Sequence, residues 1–200
     1  MSETTPRREA TRQRLIQAAI GEFARKGIDA TSVEQISEAA GFTRGAFYSN
    51  FEDKDDLILA ILEEGHRATT AQFQGKVADL PDGITIDGAV RQLLAAKEVS
   101  PEVYTTMLEI RLRGRRDPAL LRRLTALREE MEPRFAAVLQ AAADRLGLEP
   151  TADIDVLIDI FDALHDATFI SGADLTDPDN SRLTQLIGFV ARQFTRPVGE

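Results

Sequence analysis

The residues with the clearest chemical pattern lie between Thr31 and Lys54, in the segment TSVEQISEAAGFTRGAFYSNFEDK. The pattern predicts a short helix, a tight turn at Gly41 and a second short helix, which is the layout of a helix-turn-helix. Because Phe47 and Phe51 are four residues apart, they share one face of the second helix, and we expect that face to point inward. The outward face then carries Arg44, Gly45, Tyr48 and Ser49.

This outward face combines a guanidinium group, two hydroxyl groups and a glycine. Arginine can donate two hydrogen bonds to one guanine, and hydroxyl groups donate to phosphate oxygens. Gly45 and Ala46 keep the helix slim, so that its backbone can approach a groove of the double helix closely. The chemistry therefore predicts contact with double-stranded DNA, with Arg44 as the main candidate for reading guanine.

The elements that must position this face are helices. Apolar residues recur at helical spacing along most of the chain and sustained strand alternation is nearly absent, which predicts an all-α fold. Ser32 and Gln35 are spaced as a capping box. We expect Pro133 to kink or break the helix that contains it. Helices are predicted at about 9–26, 32–40, 43–50, 52–73, 87–98, 101–113, 118–146, 151–170 and 180–195, with loops at 75–88 and 113–118.

Composition excludes several classes of protein. The 200 residues contain no cysteine, which removes disulfides, thiolate metal sites and thiol nucleophiles. Apolar runs stay shorter than the roughly 18 residues of a transmembrane span, so no membrane association is expected. The first residues are polar and do not resemble a signal peptide. These features fit a cytoplasmic protein.

The formal charge of −9 is distributed unevenly. Residues 1–50 carry a net charge of +1, whereas residues 51–200 carry −10. An acidic body repels phosphates except where a basic tip is presented, which weakens non-specific binding to DNA. The alternative is that an acidic surface only keeps the protein soluble.

The same segment strongly resembles the tetracycline-repressor-like (TetR) family. The resemblance is carried by the Ala39-Ala40-Gly41 turn, by Thr43-Arg44-Gly45, by the pattern Phe47-Tyr48-x-x-Phe51, and by Lys54 with Leu57. It covers residues 9–62; beyond them, length and helix order alone agree. It implies an N-terminal three-helix DNA-binding domain, here residues 1–54, and a C-terminal helical domain for effector binding and dimerisation, here residues 55–200.

The resemblance also implies a role for each matched position. The bases would be contacted by Arg44, Gly45, Ala46 and Ser49. Phosphates would be held by Tyr48, Asn50, Lys54 and a hydroxyl at Thr31 or Ser32. Thr43 would cap the recognition helix, with a phosphate contact of its own left open. Many relatives carry histidine where this chain has Asn50. For Tyr48 the alternative is packing against the first helix, and for Lys54 it is an ordinary solvated position. The arginines at 7, 8, 12 and 14 form an N-terminal arm that either reaches DNA or makes no contact.

An effector and a partner subunit follow from the same resemblance. The middle helices would surround a small molecule of unknown identity, and the apolar stripes on 151–170 and 180–195 would pair in a homodimer. The dimer would act as a repressor that the effector releases from a palindromic operator, although activation is also open. Candidate effector-binding residues on inward-facing segments are Tyr104, Met107, Leu108, Phe135, Phe161 and His165.

Two other function classes compete with this interpretation. An enzyme is disfavoured because the chain lacks a G-x-S-x-G elbow, a P-loop, an H-E-x-x-H pair and a G-x-G-x-x-G loop. An effector-independent helical scaffold or DNA-coating protein would bind without regard to sequence. The aspartates at 155, 159, 162 and 166 suggest a solvated helix face rather than a metal site, so neither a metal nor a cofactor is expected.

Overall fold

The computed structural model describes residues 6–95, 100–172 and 181–199. Helices alternate with short turns along this part of the chain, and two three-residue strands lie near its C-terminal end. The elements are α1 Pro6–Lys26, α2 Val33–Ala39, α3 Arg44–Tyr48, α4 Lys54–Ala78, α5 Ile86–Leu94, α6 Pro101–Arg116, α7 Pro118–Arg145, β1 Leu148–Pro150, α8 Ile154–Ile170, α9 Arg182–Gln193 and β2 Thr195–Pro197. The all-α prediction is confirmed apart from this small ribbon.

The chain divides into two compact units. Unit 1 comprises Met1–His66 and Val99–Glu129, and unit 2 comprises Arg67–Glu98 and Glu130–Glu200. Two of the three boundaries between them fall within α4 and α7, and the third lies between α5 and α6.

Unit 1 has an apolar core to which each of its main helices contributes. Fully buried aliphatic and aromatic side chains come from α1, α2, α3, α4 and α6, and burying each one stabilises the fold by about 1.5–3 kcal/mol. The largest of them are Leu15, Ile16, Phe23, Ile36, Phe47, Leu57, Ile58, Ile61 and Ile110. Because α2 and α3 are short, their positions depend on this core rather than on helix propensity.

Unit 2 has a smaller core between α4 and α7. Phe73 and Val77 pack with Val138 and Ala142, and Phe73 meets Phe135 edge to face with 5.6 Å between ring centroids. An ion pair between Asp87 of α5 and Arg192 joins α5 to α9.

Several helix ends differ from the sequence predictions. α1 begins at Pro6 rather than near residue 9, since proline is pre-organised for the first turn of a helix. α4 continues to Ala78, so that Gly75 lies inside the helix instead of starting a loop. The burial of Val77 explains the extension, because it outweighs the roughly 1 kcal/mol cost of a helical glycine.

The predicted loop at 113–118 is also wrong. α6 runs to Arg116, and Asp117 alone separates it from α7. The Asp117 carboxylate accepts hydrogen bonds from the backbone N–H groups of Ala119 at 2.9 Å and Leu120 at 3.2 Å. These donors hold the pKa of Asp117 below its usual range. Asp117 therefore acts as an N-terminal cap that allows the next helix to start at once.

Pro133 does not break α7, which is helical from Pro118 to Arg145. The proline forfeits one backbone hydrogen bond. The buried positions Val138 and Ala142 follow within the next turns and hold the helix against α4.

The last two predicted helices are shorter than expected, at Ile154–Ile170 and Arg182–Gln193. β1 precedes α8 and β2 follows α9, and the two strands pair antiparallel with Leu148 opposite Pro197. The predicted start of the last helix, at 180, lies outside the described residues. The predicted end of the fifth helix, at 96–98, lies outside the described residues. Within the described ranges, no helix combines the length and the apolar character that crossing a membrane requires.

Candidate nucleic-acid interface

The turn between α2 and α3 is built from local hydrogen bonds that the sequence specifies. Ser32 and Gln35 form the predicted capping box at the start of α2, with bonds of 3.2 and 2.8 Å. Gly41 adopts a left-handed backbone with φ of +73°, which a side chain would strain. A Cβ there would also lie 3.1 Å from Nη2 of Arg14, which donates to the Ala40 carbonyl at 2.8 Å.

Helix α3 is fixed from its inner side. Thr43 caps it by accepting from the Ala46 N–H at 3.4 Å. Phe47 is 0% exposed and Phe51 is 3% exposed, with 5.5 Å between their ring centroids. The prediction that these two rings point inward is confirmed.

The opposite face of α3, which we call the recognition face, consists of Arg44, Gly45, Tyr48 and Ser49, and all four are exposed. A Cβ at Gly45 would meet only Oγ1 of Thr43 among the described residues, at an ordinary contact distance of 3.7 Å. The fold of this part of the chain therefore does not require glycine at position 45. The surface it leaves is small and polar, and it can approach another molecule closely.

Arg44 is held on this face by two neighbours. Its Nη1 lies 2.7 Å from Oε1 of Glu34 in α2, and its Nη2 donates to the Tyr48 hydroxyl at 3.4 Å. The hydrogen bond to Tyr48, followed by the charge of Glu34, raises the pKa of Arg44. The Tyr48 ring packs edge to face on Phe47 with 5.3 Å between centroids, so this aromatic contact lies within α3 rather than on the first helix.

Lys54 is less available for binding phosphate than the resemblance implies, because its ammonium group already has partners within the chain. Its Nζ donates to the backbone carbonyls of Ile28 at 2.7 Å and Thr31 at 3.0 Å, and so ties the start of α4 to the loop between α1 and α2. Burial, and secondarily the charge of Arg113, lower the pKa of Lys54. Arg113 bonds to Asp29 in the same loop and to Asp55 at 3.1 Å.

Two further predicted phosphate contacts have intramolecular partners. Thr31 is 2% exposed and its hydroxyl donates to the Gly27 carbonyl at 2.8 Å. Of the two hydroxyls that the resemblance offered, that of Ser32 is therefore the exposed one. Asn50 donates from Nδ2 to the Ala46 carbonyl at 2.8 Å, and its buried Oδ1 has no hydrogen-bond partner among the described residues.

The N-terminal arginines form part of a helix rather than an extended arm. The guanidinium of Arg12 lies over the Phe51 ring at 5.5 Å, and that of Arg14 lies over Phe42 at 4.6 Å. Arg7 and Arg8 are exposed on the first turn of α1.

Sequence reasoning missed Glu34 and Arg113. Glu34 is ten residues from Arg44, and Arg113 is 84 residues from Asp29, so no spacing rule for pairs within one helix connects them. The turn of the helix-turn-helix brings Glu34 and Arg44 together, and this turn was the only signal that could have found the pair.

The candidate effector-binding residues fall into both units. Tyr104, Met107 and Leu108 lie on α6 in unit 1, where Tyr104 is buried and Met107 packs against the core. Phe135, Phe161 and His165 lie on α7 and α8 in unit 2, where His165 is buried. Among the described residues, no three histidine or acidic side chains cluster in a way that could hold a metal ion.

Together, α2, the Gly41 turn and α3 define a helix-turn-helix module with an exposed second helix. The family model described as bacterial regulatory proteins, tetR family, matches residues 15–61, which contain this module. Residues 15–61 therefore match the DNA-binding segment of this family.

Individual relatives show how far the similarity extends. The chain is 28% identical to an HTH-type transcriptional repressor of Mycobacterium tuberculosis over 94% of both proteins. It is 34% identical to the HTH-type transcriptional regulator TtgR of Pseudomonas putida, over 43% of this chain and 40% of TtgR. The chain likewise spans 40% or less of the length of several other curated regulators that it matches.

Solved structures support the fold over nearly the whole chain. The crystal structure of a tetR-family regulator from Mesorhizobium loti superposes with a TM-score of 0.70, at 22% identity, and covers 94% of this chain and 96% of that one. The curated relatives are transcriptional regulators, in agreement with the expectation that the chain is a regulator rather than an enzyme.

We predict that Lys54→Met lowers the free energy of unfolding by about 1–3 kcal/mol, because two backbone carbonyls lose a charged donor. Urea unfolding followed by circular dichroism measures this. Arg8→Met, which removes an exposed cation from unit 1, should change stability by less than about 0.5 kcal/mol. Unchanged stability of Lys54→Met would mean that its ammonium does not help to hold the loop.

Proposed function

We propose that this chain is a dimeric transcriptional repressor that binds a palindromic operator through α3 and is released from it by a small-molecule effector. The observation that carries the proposal is the recognition face. It combines an arginine, two hydroxyl groups and a glycine that the fold of this part of the chain does not require. The helix that carries them is fixed on its other side by the buried ring of Phe47.

The contacts divide between bases and phosphates. In the proposed complex Arg44 reads guanine, and Gly45, Ala46 and Ser49 lie against base edges. The hydroxyl groups of Tyr48 and Ser32 donate hydrogen bonds to phosphates, and Thr43 caps the start of α3. Lys54 offers its remaining proton, and Asn50 reaches a phosphate only when Nδ2 leaves the Ala46 carbonyl. Thr31 positions the loop and makes no contact.

The uneven charge supports sequence-selective rather than general binding. Residues 51–200 carry a net charge of −10, which opposes contact with DNA outside the recognition module. Non-specific affinity comes almost entirely from cation–phosphate contacts. A chain with this charge distribution depends on base contacts for much of its affinity.

Exposed apolar side chains support pairing through α8 and α9. Val156 is 49% exposed, Ile170 69%, Phe189 56% and Phe194 37%. Large apolar residues that cluster on a surface mark interaction sites. In a two-fold dimer, each subunit presents one recognition helix to half-sites about one helical turn of DNA apart, so that the operator is palindromic.

The effector-binding part of the proposal rests on the helical body and on one solved neighbour. A regulator from Saccharomonospora viridis with a TM-score of 0.64 was crystallised in complex with choline. We place an unidentified small molecule within unit 2, against the candidate residues Phe135, Phe161 and His165. Its binding shifts the population away from the DNA-binding conformation, with α4, which begins at Lys54, as the transmitting element.

A selection from random duplex DNA at physiological salt tests the function. We expect an enriched palindrome that contains a guanine in each half-site. Arg44→Ala should abolish the preference for that guanine and weaken binding by about 1–3 kcal/mol. Arg134→Ala, which removes an exposed arginine of α7 in unit 2, serves as the control that leaves the enriched sequence unchanged.

The function would be wrong if neither the purified protein nor protein refolded free of small molecules enriched any sequence. That result would favour the DNA-coating or scaffold alternative.

Dimerisation is tested with Phe189→Asp. A carboxylate buried in an apolar interface is costly, so the measured mass should fall from twice 22.0 kDa toward 22.0 kDa in light scattering after gel filtration. Leu112→Asp is the matched control, since Leu112 is 55% exposed on α6, outside the proposed interface, and should leave the mass unchanged. Loss of the dimer in both variants, or in neither, contradicts this interface.

Effector binding is tested by screening metabolites for a rise in the thermal unfolding midpoint, because a ligand that binds only the folded state stabilises it. A compound that raises the midpoint should also weaken operator binding about tenfold or more, which corresponds to a coupling of about 1.4 kcal/mol. Phe161→Ala should reduce both effects. Compounds that stabilise the protein without changing its affinity for the operator would contradict release by an effector.

A further inference from the structure

The recognition module contains an ion pair that the proposed contacts do not use. Glu34 on α2 faces Arg44 on α3, with 2.7 Å between Oε1 and Nη1. Both side chains are more than half exposed, at 54% for Glu34 and 62% for Arg44. The pair is therefore open to solvent and to any molecule that approaches the recognition face.

The carboxylate is ionised near neutral pH. A hydrogen bond from the backbone N–H of Glu34, followed by the charge of Arg44 and a hydrogen bond from Ser32, lowers the pKa of Glu34. Glu34 is paired with Arg44, which in turn donates to the Tyr48 hydroxyl, and Glu38 lies one turn further along α2. A negative charge is thus fixed beside the arginine that we assign to base reading.

This charge affects two kinds of DNA contact differently. A phosphate oxygen offers Arg44 one negatively charged acceptor, which replaces the one that Glu34 already supplies and places two anions close together. Guanine offers two neutral acceptors in one plane, O6 and N7, and adds no negative charge. A nearby carboxylate therefore disfavours contact of Arg44 with phosphate more than contact with guanine.

We propose that Glu34 is a specificity-determining residue, which orients the Arg44 guanidinium on the recognition face and makes its contact with phosphate unfavourable relative to contact with guanine. The inference rests on the proposed function, since it concerns how the same face selects its sequence. Glu34 is a positioning residue that acts through Arg44.

Glu34→Gln is the informative variant because the amide keeps the shape of the side chain and removes the charge. Glu38→Gln is the matched control, since Glu38 is an exposed glutamate one turn further along the same helix. Each is measured in the full-length chain against the selected palindrome and against a scrambled duplex of equal length and composition. Circular dichroism confirms that each variant is folded.

For Glu34→Gln we expect affinity for the scrambled duplex to rise about fivefold, the upper range of coupling measured between exposed ion-pair partners. Affinity for the palindrome should change by less than about twofold, so that the ratio of the two falls. The dependence of scrambled-duplex binding on salt should steepen, because Arg44 then contributes a phosphate contact with a slope of about −0.9. Glu38→Gln should shift both duplexes by the same factor.

The same pair of variants in an Arg44→Ala background isolates the interaction. If Glu34 acts through Arg44, Glu34→Gln in that background changes both duplexes equally. A loss of discrimination that persists without Arg44 overturns the inference, as does an equal shift of both duplexes in the wild-type background.

The wild-type protein separates this inference from the function itself. Equal affinity of the wild type for the selected and scrambled duplexes contradicts the proposed function, and the role of Glu34 with it. Discrimination by the wild type that Glu34→Gln leaves intact contradicts only the role of Glu34.

Discussion

The burial of Phe47 is the interaction on which the recognition module depends. A helix of five residues is far too short to be stable alone, so α3 exists because its inner ring is enclosed by the core of unit 1. Thr43 and Gly41 set where the helix starts and how the chain enters it. Once these are fixed, the direction of Arg44, Tyr48 and Ser49 follows from helical geometry, and the outer side chains need not contribute to folding.

The polar groups of unit 1 divide accordingly between holding the module and facing solvent. Lys54, Thr31 and Arg113 use their donors on backbone carbonyls and carboxylates within the unit. The hydroxyls of Ser32 and Tyr48 and the guanidinium of Arg44 lie at the surface. A residue-type pattern alone treats these two groups alike, since lysine, threonine and arginine suit either use. Structure separates them through burial and through the partner of each donor.

Much of the module could be predicted from the sequence because its signals are local. The inward rings at 47 and 51, the capping box at Ser32 and the glycine turn each depend on residues at most four apart. The misplaced ends of α4 and α6 depended on distant packing and on a single capping carboxylate at Asp117, which periodicity does not reveal. The Glu34–Arg44 pair and the partners of Lys54 required the fold itself. The sensing and pairing residues stay predictions, because apolar spacing does not distinguish a core from a binding surface.

Gly45 has a consequence for how such a protein can change over time. Alanine in a helix interior is more stable than glycine by about 1 kcal/mol, and the chain leaves space for the extra methyl group. Position 45 can therefore accept new side chains without endangering the fold, unlike Phe47 two residues later. Variation there would be filtered by the operator alone, so that a descendant could acquire a new target sequence by one substitution while it keeps the same scaffold.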